Sequence, residues 1–270
     1  MIRLLLVLIL GLATPLQAEE KDTPLETLDS WGKNRGWEGV GLLELAGTSV
    51  CTGALIAPDI VLTAAHCMFD TDTGERLDPT LIQFRAGWRS GAAVAERRGQ
   101  RMVTHEKYDF GVEATAERVR YDVAVLRLDG PISFTHADYF TTGPTVGQGS
   151  EVSVVSYGRG RLGAPSRQES CSVLESFDGL FVLSCEAVPG SSGSPIFLMQ
   201  NGAPRIVSVV SAIGEMGDQK VSYAMDVRQP LADVLSDLRS GRNVFPPQVN
   251  SRRVIISGQR SGTAGKFIRP

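Results

Sequence analysis

Between Val40 and Val210 the chain runs as a train of short apolar stretches, and this pattern limits the fold more than any other feature. The stretches are 40–45, 53–56, 60–63, 81–86, 122–128, 152–157, 180–183 and 206–210. They are four to seven residues long, many are β-branched, and Gly, Pro, Asp or Asn separates them. Runs of that length suit strands and are too short for helices. An all-β barrel or sandwich is therefore predicted. Helical signals are few. Residues 63–68 allow a single turn, and 230–239 predicts a helix. In the latter, Pro230 stands at the start and Leu231, Val234, Leu235 and Leu238 share one face. The Gly-, Pro- and polar-rich stretch 131–149 reads as a connector between two strand-rich halves, 37–135 and 145–229, which show no evident repeat.

The two ends read differently. Arg3, the apolar run Leu4–Leu10 and Leu16-Gln17-Ala18 before Glu19 make residues 1–18 a secretory signal. The run is far short of the ~20 apolar residues that span a bilayer, and no later stretch supplies them. The chain is thus expected to be secreted or periplasmic. Residues 19–36 form a polar lead-in. Residues 241–270 contain no acidic residue, several arginines and one lysine, and are expected to be a flexible basic tail. A net charge of −3 gives no case for a nucleic-acid or anionic-membrane partner. Export makes the four cysteines readable as two short disulfide loops, Cys51–Cys67 and Cys171–Cys185. Neither metal nor cofactor is expected, because no C-x-x-C occurs and the chain has three histidines.

Three stretches carry chemistry. Val61-Leu62-Thr63-Ala64-Ala65-His66-Cys67 sets a histidine among small residues at a strand end. Imidazole, which titrates at about 6.5, can take a proton near neutral pH and return it. Asp122 heads the apolar strand Val123–Leu128. A carboxylate buried there needs hydrogen bonds or a positive partner, and an imidazole charged during reaction is such a partner. Pro189-Gly190-Ser191-Ser192-Gly193-Ser194-Pro195 is a tight loop of small residues, suited to close backbone approach and to presenting one hydroxyl. Each stretch alone has a bland reading: a structural histidine, a solvent-facing Asp, a Gly/Ser turn. Together they supply a base, its orienter and a nucleophile.

These three motifs, in this order, resemble those of the trypsin/chymotrypsin-like serine peptidases. The segment Val103–Asp109 is similar to that family's stretch upstream of the aspartate, where the histidine, here His105, is not catalytic. Cys51–Cys67 matches the family's disulfide beside the catalytic histidine. The resemblance spans residues 37–240. It implies two antiparallel six-stranded β-barrels with the site between them and a C-terminal helix. It also implies a protein or peptide substrate and a monomer that needs no cofactor. By position, Ser192 is the nucleophile, His66 the base and Asp122 its orienter, and the N–H groups of Gly190 and Ser192 form the oxyanion hole.

The chain departs from the family in two places. In animal digestive members the residue before the nucleophile is an aspartate that pairs with an N-terminus freed by cleavage. Here it is Ser191. The Gly-Ser-Ser-Gly-Ser-Pro form is closer to bacterial branches such as the glutamyl endopeptidases, whose glutamate preference is linked to a histidine after the nucleophile. No histidine follows His136, so that preference is not expected. Counting six residues back from Ser192, as the trypsin pattern suggests, reaches Glu186, so a preference for Arg or Lys before the scissile bond is expected. The alternative to an enzyme is a catalytically silent, protease-like binding protein. An α/β-hydrolase esterase is excluded because it needs G-x-S-x-G and a histidine after the serine. A zinc protease of the H-E-x-x-H type is excluded because the motif is missing.

Overall fold

The computed structural model describes residues 22–111 and 115–248. The signal segment 1–18 and the tail from residue 249 lie outside the described residues. A short strand, β1 (Leu25–Thr27), and one helical turn, α1 (Trp31–Asn34), lead into the first barrel. That barrel comprises β2 (Val40–Leu45), β3 (Ser49–Ala57), β4 (Ile60–Thr63), β5 (Ile82–Ala86), β6 (Ala95–Thr104) and β7 (Ala124–Leu128). The one-turn helix α2 (Ala116–Arg120) precedes β7. After the two-residue strand β8 (Thr141–Thr142), the second barrel comprises β9 (Glu151–Ser156), β10 (Ser166–Phe177), β11 (Leu180–Leu183), β12 (Pro195–Gln200), β13 (Ala203–Met216) and β14 (Gln219–Met225). Helix α3 (Arg228–Ser240) and strand β15 (Val244–Phe245) follow.

The fold is the expected one: two six-stranded antiparallel barrels and a C-terminal helix. Each barrel pairs its six strands in the order first, second, third, sixth, fifth, fourth, and closes by pairing the fourth with the first. The halves therefore share a connectivity although no repeat is evident in their sequences. Closure removes the free edges that would otherwise invite other chains to pair.

Both barrels alternate or fill their interiors with β-branched and aromatic residues, and one apolar cluster crosses the joint between them. Trp37 just before β2, Phe140 from the connector and Phe197 from β12 are buried ring against ring, Trp37 to Phe197 at 5.2 Å and Phe140 to Phe197 at 4.8 Å. Each such side chain, taken out of water, contributes roughly 1.5–3 kcal/mol. The barrels are thus joined by a shared core.

The two ends of the domain are built into it. β1 pairs with β10, so the lead-in is anchored from Leu25. Helix α3 buries Leu231 and Val234, packs back against β6 and β7 of the first barrel, and ends at Gly241 with φ 76°. Glycine takes that left-handed conformation without the clash a Cβ would meet. The sequence reading of 241–270 as a loose tail does not extend to its first residues. Val244 and Phe245 pair with Val103 and Met102 of β6, Phe245 lies under the Arg76 guanidinium at 3.6 Å, and Gln248 N–H donates to Asp78. No helix among the described residues is long and apolar enough to cross a membrane.

Candidate active site

Strand β4 delivers the chain into a 3₁₀ turn, Ala65–Met68, at the barrel joint, and His66 sits on that turn with Cys67 bonded to Cys51 of β3. The disulfide ties the turn to the neighbouring strand. Its sulfurs and a His66 ring nitrogen lie within 4.8 Å of one another. Sulfur in a disulfide is not the thiolate that binds metal, so this group is a structural clamp. The second disulfide, Cys171–Cys185, joins β10 to the segment that leads into the serine loop.

Asp122 follows α2, whose end turns the chain into β7. Its carboxylate is 2 % exposed and accepts three hydrogen bonds: from His66 N–H at 2.8 Å, from His66 Nδ1 at 2.7 Å, and from Ser211 Oγ at 2.5 Å. The Nδ1 contact assigns that nitrogen the ring proton, which leaves the Nε2 lone pair free to act as base. One carboxylate thus fixes both the backbone and the ring of His66. Ser211 was not singled out from sequence. It sits at a register shift of β13 between Val210 and Ala212, and such a bulge re-aims a side chain without any mark in the apolar pattern.

The serine loop is seated by its backbone against β3 and the end of β4. Thr52 N–H donates to Ser192 C=O at 2.8 Å, and Thr52 Oγ1 donates to Gly190 C=O at 3.0 Å. Gly193 has φ 78°, and a Cβ there would stand 2.1 Å from Thr63 Oγ1 and 2.4 Å from Thr52 C=O. Only glycine fits that contact. Three N–H groups of the loop are engaged: Ser191 donates to Val188, Gly193 to Val210 and Ser194 to Ser191. Among the described residues, Gly190 and Ser192 N–H donate to no protein acceptor. Ser192 is half-buried, and no hydrogen bond joins its hydroxyl to His66 among the described residues. Such contacts commonly tighten only when substrate binds.

Glu186 stands apart from these groups. It is exposed and lines an open cavity of about 720 Å³, together with Val188, Pro189, Ile213, Glu215 and Lys220. His105 is placed as a packing residue. It is 4 % exposed, stacks on Tyr121 at 4.6 Å, accepts Lys107 N–H at Nδ1 and faces Asp233 through Nε2 at 3.4 Å. Burial pushes its pKa below the usual imidazole value, against the raising effect of Asp233 and Glu106. The unfolded chain therefore binds the proton more readily, so stability is expected to fall as pH drops below about 6.5. Urea unfolding at two pH values either side of 6.5 checks this. The acid loss should shrink in His105→Gln, and an equal loss in both proteins would contradict it.

Two closed barrels with a carboxylate–imidazole pair and a glycine-bounded serine loop at their joint define the double-barrel serine peptidase class. Residues 33–235 match the family model described as Trypsin, and the chain belongs to the trypsin family. It is 33 % identical over 95 residues to trypsin epsilon of Drosophila erecta, a match covering 34 % of this chain and 32 % of that protein. It is 26 % identical over 166 residues to trypsin iota of Drosophila melanogaster, covering 60 % and 59 %. The chain therefore spans less than two thirds of these relatives. A solved structure of a Glu endopeptidase in complex with MPD shares the fold, with TM-score 0.66 and 19 % identity over 82 % of this chain and 98 % of that one.

Proposed function

We propose that this chain is an exported serine endopeptidase, monomeric and without a cofactor, whose catalytic unit is residues 37–240 once residues 1–18 are removed. The observation that carries the reading is the double hold of Asp122 on His66, through backbone N–H and Nδ1, beside a loop that leaves two N–H groups open. In this reading Ser192 Oγ attacks the scissile carbonyl as His66 Nε2 takes its proton. Asp122 stabilises the resulting imidazolium, and Gly190 and Ser192 N–H receive the oxyanion, each worth roughly 3 kcal/mol. His66 then passes the proton to the leaving amine. Water, activated by the same imidazole, cleaves the acyl-enzyme and restores the serine.

The cavity beside the loop would receive the side chain before the scissile bond. Glu186 and Glu215 outweigh Lys220 there by one negative charge, which favours Arg or Lys. Because Glu186 is exposed, its attraction is limited to about 1 kcal/mol, roughly five-fold in kcat/KM. Chromogenic peptides ending in Arg, Glu or Phe test both points. Arg should lead, and Glu186→Gln should narrow its lead about five-fold. No turnover of any peptide would contradict the enzyme reading, and a lead for Glu or Phe would contradict the pocket assignment alone.

A further inference from the structure

Ser191 occupies the place where animal digestive relatives carry an aspartate, and its surroundings are specific. The residue is 1 % exposed, and its hydroxyl uses every hydrogen-bonding valence. It donates to Tyr157 C=O at 3.0 Å and accepts from Val188 N–H at 3.3 Å and from Arg161 Nη2 at 3.1 Å. Arg161 is in turn held at the end of β9, donating to Ser156 C=O at 2.6 Å and Ser156 Oγ at 2.8 Å. The guanidinium also closes over Gly158, where a Cβ would stand 2.9 Å from Nη2, and Gly158 Cα would lie 3.2 Å from a Cβ on Gly190. Arg159 N–H donates to Pro189 C=O at 2.8 Å, completing the hold on the loop from this side.

We propose that Arg161 is a positioning residue for the oxyanion loop: acting through Ser191, it sets Gly190 and Ser192 N–H in binding geometry as part of folding, so that competence needs no newly cut N-terminus. The cation that orders this loop is supplied from within the chain. Its partner is a hydroxyl, whose bonds to Tyr157 and Val188 fix a direction as well as a distance. Thr52, reaching the same loop from the first barrel, supports its other side. An arginine suits the task because its planar fork serves Ser156 and Ser191 at once, which a lysine ammonium on a flexible stem does not.

The proposal rests on the peptidase reading, and its test separates the two. Wild type, Arg161→Met, Ser191→Ala and the double variant are compared in the full chain. The measurements are kcat and KM on a peptide ester, inhibition by a peptide aldehyde, and hydrogen exchange of amides 188–193. Displacing donors by about 1 Å is worth on the order of 100-fold, so Arg161→Met should lose roughly that in kcat with KM little changed. Aldehyde affinity should fall by a similar factor, and added guanidinium ion should restore part of both. Ser191→Ala should lose less, and the double variant should be no slower than Arg161→Met, because the two act in series. Exchange at 188–193 should quicken in both single variants, a readout that does not depend on turnover. Unchanged exchange, or additive losses, would overturn the proposal. So would wild-type activity that appears only after a new N-terminus is cut. A wild type that hydrolyses nothing while exchange responds as expected would instead overturn the peptidase reading and leave the loop assignment standing.

Discussion

Ser192→Ala and His66→Ala are each expected to lower kcat by about 10⁶-fold, and the double variant to be no slower than either. The losses are not expected to add, because in the proposed mechanism the two side chains perform one event. Without the Nε2 lone pair the hydroxyl is a poor nucleophile, and without the hydroxyl the imidazole has no proton to take. What remains should be the small rate that the loop N–H groups and substrate binding supply by themselves. Neither change removes much buried packing. Ser192 is half-buried and the His66 side chain is 21 % exposed, so thermal unfolding should barely move. Activity lost through unfolding would be seen at once in that comparison. Steady-state kinetics on an ester substrate, with melting curves alongside, are the measurements. Additive losses would mean that the residues act in separate steps.

Asp122→Asn should cost about 10⁴-fold in kcat while leaving the fold in place. The carboxylate accepts from His66 N–H, His66 Nδ1 and Ser211 Oγ, all on a group that is almost fully buried. An amide of the same shape has one oxygen for these donors and presents N–H to the rest. If it faces Nδ1 with its NH₂, the ring must accept there and carry its proton on Nε2, where the base is needed. If it faces Nδ1 and the Ser211 hydroxyl with oxygen, its NH₂ meets His66 N–H. The first arrangement disables the base, and the second leaves a buried donor unpaired at a cost of about 1–3 kcal/mol. Ser211→Ala is the milder probe of the same group, since it removes one donor and keeps the charge. A loss in Asp122→Asn no larger than in Ser211→Ala would contradict the orienting role of the carboxylate.

The elements whose chemistry demands a residue type were legible in the chain. A base, a buried acid and a hydroxyl on a glycine-bounded turn leave few alternatives, and His66, Asp122 and the 190–195 loop stood out for that reason. The strands were legible because short β-branched runs between turn residues have few other uses. Ser211 was hidden because its role comes from a bulge, and a one-residue irregularity leaves the apolar pattern of β13 intact. Arg161 and Thr52 were hidden for a different reason. Each works across long sequence separations, Arg161 on Ser191 and Thr52 on Gly190 and Ser192, through contacts that exist only after the barrels close. Barrel closure itself follows from pairing order, which no local pattern encodes. The docking of Val244 and Phe245 was missed because two residues are too few to show a strand, and the polar, Gly-rich context argued against one.

Gly193 illustrates how the two levels meet. Sequence marks it as a turn glycine, and the structure adds that Thr63 and Thr52 leave no room for a Cβ. The loop that presents Ser192 is therefore fixed by contact with β3 and with the end of β4, the strand that leads into the His66 turn. Ser192 and His66, the proposed nucleophile and base, are thus positioned on neighbouring segments by backbone contacts.

The most direct test of Ser192 as an activated nucleophile is labelling of the purified full chain with a fluorophosphonate, followed by mass mapping of the adduct. One adduct per chain on the peptide that contains Ser192, lost in Ser192→Ala and greatly slowed in His66→Ala, is the predicted result. Equal labelling of wild type and Ser192→Ala, or no labelling of the wild type, would contradict it.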